Sequence, residues 1–132
     1  MLDKRTGKMK KLQLDGVSKQ RLNEIHVTKE NRVYLGYIRG MAYYDEMQDT
    51  LALMTRKNCR GDVPESVNIQ TLFEDVNGDL LIGTWKDGLY RYCIKENTFL
   101  HYPPLDEENS VLALFQDSRG VMWIGTLSLI HI

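Results

Sequence analysis

Asp75-Val76-Asn77-Gly78-Asp79 places oxygen-bearing side chains at spacings 1, 3 and 5, which is how a calcium-binding loop begins. It does not continue as one. Leu80 stands where such a loop needs its glycine and Lys86 where it needs its closing carboxylate, so the segment reads as a hairpin turn. His26, His101 and His131 share no ligand spacing, and Cys59 and Cys93 are far apart with no Cys-x-x-Cys, which suggests neither a zinc nor a redox centre and leaves a disulfide open. Phosphate-binding glycine loops and a Gly-x-Ser-x-Gly nucleophile elbow are absent. No catalytic residue, metal or cofactor is expected. Arg60-Gly61-Asp62 has the form of an adhesion tripeptide but reads as a plain loop. The remaining candidate is Trp85-Lys86-Asp87, matched one unit earlier by Tyr37-Ile38-Arg39. An aromatic ring followed by charge can stack on a sugar ring and bond its hydroxyls, so Trp85, Lys86, Asp87, Tyr37 and Arg39 are the candidate ligand-binding residues.

The elements that hold these residues follow from an internal repeat. Leu72 to Thr84 aligns with Leu114 to Thr126 at an offset of 42 with seven of thirteen positions identical, and Ile25 to Tyr37 is a worn third copy in which Asn31 stands for the turn glycine. Gly88-Leu89-Tyr90-Arg91-Tyr92 matches Gly40-Met41-Ala42-Tyr43-Tyr44, and Asp3 to Met9 falls in the register of Cys93 to Phe99. The apolar runs are too short for helices and rich in branched and aromatic residues, so they are strands. Asn77-Gly78 gives the two-residue hairpin signal, since both residues tolerate positive φ. Leu80-Leu81-Ile82 is apolar at consecutive positions, which requires both sheet faces to be covered. Gly36, Gly83 and Gly125 recur inside the same strand, as at a bulge or a close backbone approach.

Four antiparallel strands per unit with both faces covered describe an all-β fold, a partial β-propeller of four-stranded antiparallel blades. It is an open fragment with about two complete blades and a partial one at each end. The expected boundaries are residues 1–20 for the tail of a preceding repeat, 21–65 and 66–109 for two blades with their connecting loops, and 110–132 for the first half of another. Uncovered end sheets should make the isolated chain self-associate or fold only marginally.

Seventeen Lys and Arg against eighteen Asp and Glu leave a net charge of -1, which argues against nucleic acid as a partner. The cluster Lys4, Arg5, Lys8, Lys10 and Lys11 reads as a solvated blade edge. No apolar run in this chain is long enough for a membrane segment, and its start lacks the apolar stretch of a signal peptide.

The motifs resemble the two-component regulator propeller repeats of hybrid two-component systems. Ser110 to Asp117 with Trp123-Ile124-Gly125-Thr126 fits the first half of that pattern, Gly88 to Tyr92 the second, and Asp3 with Thr6-Gly7 its end. Cys93 replaces the usual Asp, Leu81 replaces the usual Trp, and Leu127 to Ile132 lacks the expected Gly-Leu. The resemblance implies a periplasmic, non-enzymatic sensor from gut-type Bacteroidota that recognises a glycan or oligosaccharide fragment. It implies that the missing propeller blades of the parent chain pack against this one, and that the parent carries histidine kinase activity and could form a homodimer. A fragment of a propeller lyase or glycoside hydrolase and a protein-interaction scaffold are the competing readings. Asp117 to Trp123 also looks like the Asp box of sialidase-type propellers, but the Asp-to-Gly spacing is one residue too long and Phe115 replaces the Ser.

Overall fold

The repeats fold into separate antiparallel meanders in the computed structural model. Residues 21–102 and 110–125 are described in full, and Thr126 with the short strands near both ends by backbone alone. The side chains of the basic N-terminal cluster and of Leu127 to Ile132 lie outside the described residues. Strand β1 (Leu2–Asp3) pairs with β2 (Lys8–Met9). The first full sheet runs β3 (Leu22–Val27), β4 (Val33–Tyr37), β5 (Gly40–Asp45), β6 (Thr50–Leu53) in that order. The second sheet comprises β8 (Ile69–Glu74), β9 (Leu80–Thr84), β10 (Leu89–Cys93) and β11 (Thr98–Tyr102), with β7 (Arg60–Gly61) at its edge beside β11. The third comprises β12 (Val111–Gln116), β13 (Met122–Thr126) and β14 (Ile130–His131). These sheets are open blades, with β8 packed against both β3 and β12. No helix among the described residues is long and apolar enough to cross a membrane.

Register shows how closely the blades repeat. Asp3 pairs with Lys8, Asp45 with Thr50 and Cys93 with Thr98, so the same pairing offset recurs three times. In the last two, the tyrosine before the turn donates its hydroxyl to an Asx side chain at the turn's end, Tyr44 to Asp49 and Tyr92 to Asn97, and both Asx residues have positive φ. The innermost strand carries a bulge at the same place each time, after Leu22, Ile69 and Val111. Opposite each bulge lies the recurrent glycine: Gly36 faces Glu24, Gly83 faces Thr71 and Gly125 faces Ala113. A Cβ on Gly36 would come within 2.5 Å of Ile69 Cγ2 in the next blade. The missing side chain is therefore what lets successive inner strands approach.

Two expectations need correcting. The hairpin after β8 is not a two-residue turn, since the Asp75 amide donates to Asp79 O at 2.9 Å and leaves three residues in the loop. The Gly78 amide donates to the Asp75 carbonyl at 3.1 Å and only Gly78 takes positive φ, at 84°, the geometry of a turn followed by one left-handed residue. Asn31 at 65° and Gly120 at 85° do the same in the other blades. Arg60-Gly61-Asp62 is not a plain loop either, because Arg60 and Gly61 lie parallel to β11, with the Arg60 amide donating to Asn97 O at 2.9 Å and that of Asp62 to Phe99 O at 3.1 Å. The chain returning from β6 thus satisfies backbone groups on the outer edge of the second blade.

Alternation along each strand sends neighbouring residues to opposite faces. Tyr34 and Met41 enter the core between the first two blades, where Ile69, Leu80, Ile82 and Phe99 are fully buried, while Leu35 and Ala42 pack on the first blade's other face. Every residue of β9 is buried, as its unbroken apolar run requires. Each large side chain so covered stabilises the stack by about 1.5–3 kcal/mol relative to exposure. Both cysteines are free thiols.

Candidate functional site

Strands β4, β9 and β13 end where β3, β8 and β12 begin, so the loops after β4 and β9 share one rim of the stack. The loop after β9 is held from several sides. Thr84, fully buried, donates its hydroxyl to the Gly88 carbonyl at 2.7 Å and accepts the Asp87 amide at 3.2 Å. The Trp85 amide donates to Asn68 O at 2.9 Å, and the Lys86 amide donates to the buried hydroxyl of Ser110, on the next blade, at 3.1 Å. Lys86 and Gly88 both adopt positive φ, which lets the chain reverse within this short span. Trp85 is 38% exposed despite this anchoring, and Lys86 is exposed beside it.

Asp87 has a structural role already. It accepts the Tyr90 hydroxyl, and its carbonyl accepts His101 Nε2 at 2.7 Å, while the His101 ring stacks on Tyr90 with centroids 4.3 Å apart. Burial, and then the neighbouring Asp87 carboxylate, push the Tyr90 phenol far above its ordinary pKa. The equivalent loop of the first blade is tied by Ile38 N to Arg21 O at 3.1 Å and Gly40 N to Val67 O at 2.7 Å. Tyr37 is only 7% exposed and packs with Leu35 and Ala42, whereas Arg39 is exposed. The structure therefore brings Trp85, Lys86 and Asp87 together on one anchored loop and places Tyr37 inside the sheet packing of the preceding blade.

Sequence reasoning did not find the groove on the opposite rim, of about 620 Å³, between the first two blades. Tyr34, Tyr43 and Tyr92 wall it, with Asn31, Asn58 and Asn97 at the turns. Tyr34 and Tyr92 meet edge to face at 5.8 Å, and burial raises both phenols. The Cys59 thiol beside them is also raised by burial, so it stays a thiol and is a poor nucleophile. The only sequence signal was a density of tyrosines, and that looks the same as core. Aromatic walls with amide groups can stack on and hydrogen-bond a polar ring.

The turn that opens like a calcium loop is filled from within. Asp75 Oδ1 accepts the amides of Asn77 and Asp79 at 2.9 and 3.0 Å, and the Arg91 guanidinium lies 3.3 Å from both Asp75 Oδ2 and Asp79 Oδ2. Among the described residues no three His, Cys, Asp or Glu side chains cluster as a metal site. His26 Nε2 lies 3.2 Å from Glu74 Oε1 and joins the inner strands of the first two blades. The resolved shifts raise phenols and a thiol and lower one carboxyl, all away from neutrality.

No curated protein matches the chain significantly. Solved structures do. The extracellular domain of B. thetaiotaomicron BT3049, named as a hybrid two component system, superposes with a TM-score of 0.63 at 22% identity, covering 80% of this chain and 13% of that one. Two structures of the extracellular domain of B. thetaiotaomicron BT4673, named in one as a one component and in the other as a hybrid two component system, give TM-scores of 0.68 at 21% and 23% identity. They cover 89% and 91% of this chain and 16% of theirs. The chain thus spans less than a fifth of the proteins it matches. Residues 106–128 match the two component regulator propeller family model, and the chain as a whole resembles those repeats in both motif and blade architecture.

Proposed function

We propose that this chain is part of a non-enzymatic, ligand-sensing β-propeller, that its ligand is a glycan fragment, and that its parent is a periplasmic sensor relaying binding to a histidine kinase. Missing blades of the parent would cover the end sheets, and signalling would run through a homodimer of the parent. The observation that carries the binding part is the loop Trp85 to Gly88. Its amides are anchored on its own and the next blade, yet it leaves the indole of Trp85 exposed. A rigid aromatic platform loses little conformational entropy when a sugar ring stacks on it, and Lys86 beside it can bond a hydroxyl or an acidic substituent.

Calorimetry of the chain against a panel of neutral and acidic oligosaccharides tests this, with Trp85→Ala as the variant. Binding by the unaltered chain that falls at least about tenfold in Trp85→Ala supports the loop. Equal binding by both, or none to any oligosaccharide, overturns it. The tyrosine-walled groove on the other rim favours a second reading, in which Tyr43→Ala weakens binding and Trp85→Ala does not.

A further inference from the structure

The antiparallel order of the first blade puts the ends of β3 and β5 on one rim, and their two turns bring mostly one sign of charge to the groove between the first two blades. Glu30 comes from the turn after β3, and Asp45 and Glu46 from the turn after β5. Arg32 is the only Lys or Arg among the described residues that line the groove, and its guanidinium already donates to the Tyr34 hydroxyl. Asp45 Oδ1 accepts the Met47 and Gln48 amides at 3.0 and 3.4 Å, which fixes the turn that carries Glu46. Glu30 and Glu46 are exposed, and neither carboxylate has a hydrogen bond or ion pair among the described residues. Both are open to a ligand.

The turns join β3 to β4 and β5 to β6, so the β4–β5 pair, in which Tyr34 lies opposite Tyr43, stands between them. Tyr34 and Tyr92 are each only 5% exposed, whereas Tyr43 is half-buried and its hydroxyl has no partner among the described residues. Tyr43 is therefore the part of the aromatic wall that a ligand can reach. An aromatic face attracts an ammonium group and covers the methylenes next to it, and the groove, at about 620 Å³, has the size of a small-molecule site. We infer that this groove binds an aliphatic polyamine, with its methylene chain along Tyr43 and its ammonium groups on Glu30 and Glu46. A linear chain charged at intervals suits two free carboxylates held on separate turns with aromatic surface between them. The site lies at the rim opposite Trp85 and does not depend on the glycan reading.

Calorimetric titration of the full 132-residue chain with spermidine, and with its doubly N-acetylated form, tests the proposal on the unaltered protein. Spermidine should bind saturably, and the acetylated form, which keeps the chain but lacks both terminal charges, should bind at least about tenfold more weakly, as the loss of two ion pairs implies. Glu30→Gln combined with Glu46→Gln should weaken spermidine binding to a similar degree. Tyr43→Leu, which keeps apolar bulk but removes the aromatic face, should also weaken it, an effect that attraction to a merely acidic surface would not show. No saturable binding of spermidine, equal affinity for the two ligands, or undiminished binding by the double variant or by folded Tyr43→Leu each overturns it. Both glutamates are exposed, so the ligand comparison and the double variant stand even where Tyr43→Leu fails to fold.

Discussion

Gly83 and Val111 meet across the second and third blades so closely that a Cβ on Gly83 would lie 2.7 Å from Val111 Cγ1 and 2.9 Å from the Val111 carbonyl oxygen. A side chain can rotate away from such a clash, but a carbonyl fixed in a strand cannot without moving the blade. Among the described residues the equivalent Gly125 has only ordinary contacts, the nearest being Ala113 Cβ at 3.5 Å. Gly83→Ala should therefore destabilise the fold by roughly 1–3 kcal/mol, and Gly125→Ala should be nearly neutral. Urea denaturation of the two variants distinguishes them.

Asp75→Ala should cost roughly 1–3 kcal/mol, because it strips two amides of their acceptor and Arg91 of a charge partner. Thr28 in the first blade accepts only the Arg32 amide, at 3.1 Å, so Thr28→Ala should cost less. Since the guanidinium of Arg91 already sits against Asp75 and Asp79, calcium should not shift the melting temperature of the unaltered chain. A calcium-dependent rise in thermal melts would count against that account.

The Asp117 carboxyl is held below the usual carboxylate range, first by the Trp123 indole N–H and then, against some desolvation, by the amides of Val121 and Arg119. A carboxyl whose folded pKa is depressed contributes stability that is present above its unfolded pKa, about 4, and is lost as pH falls through the folded one. Trp123→Phe should raise the Asp117 pKa and flatten the acid side of the stability profile. Carboxyl NMR titration with thermal melts from neutral to acid pH checks both.

At the alkaline end the sign reverses. Burial raises the phenols of Tyr34, Tyr37, Tyr90 and Tyr92, so their contribution is fully present below about pH 10 and is lost as pH rises through the folded values. Stability should fall steeply above about pH 10 as tyrosinate forms, and Tyr90→Phe should soften that fall. Tyrosinate absorbance followed alongside unfolding would show the two changes together. Tyrosines that titrate at their ordinary pKa in the folded chain would be the contrary result.

Local patterns in the sequence determined most of the architecture. The offset of 42 between repeats, the apolar run in β9 and the turn residues each act over a few neighbouring residues, so blade count and strand order were legible without coordinates. The turn at Asn77-Gly78 is one residue longer than the two-residue signal suggested, because the strands close at Asp75 and Asp79, and that closure leaves only Gly78 at positive φ. The site was less legible. Trp85, Lys86 and Asp87 share one loop because they are adjacent in the chain, yet whether each is available depends on distant partners: Asp87 is engaged by Tyr90 and His101, and Tyr37 is buried against Leu35 and Ala42. Pairing of Arg60 and Gly61 with β11 and the groove between Tyr43 and Tyr92 both arise where segments from different blades meet. Hydrogen bonding and burial at such meetings depend on which backbone and side-chain groups the blade stacking brings together, and no local pattern in the chain encodes that.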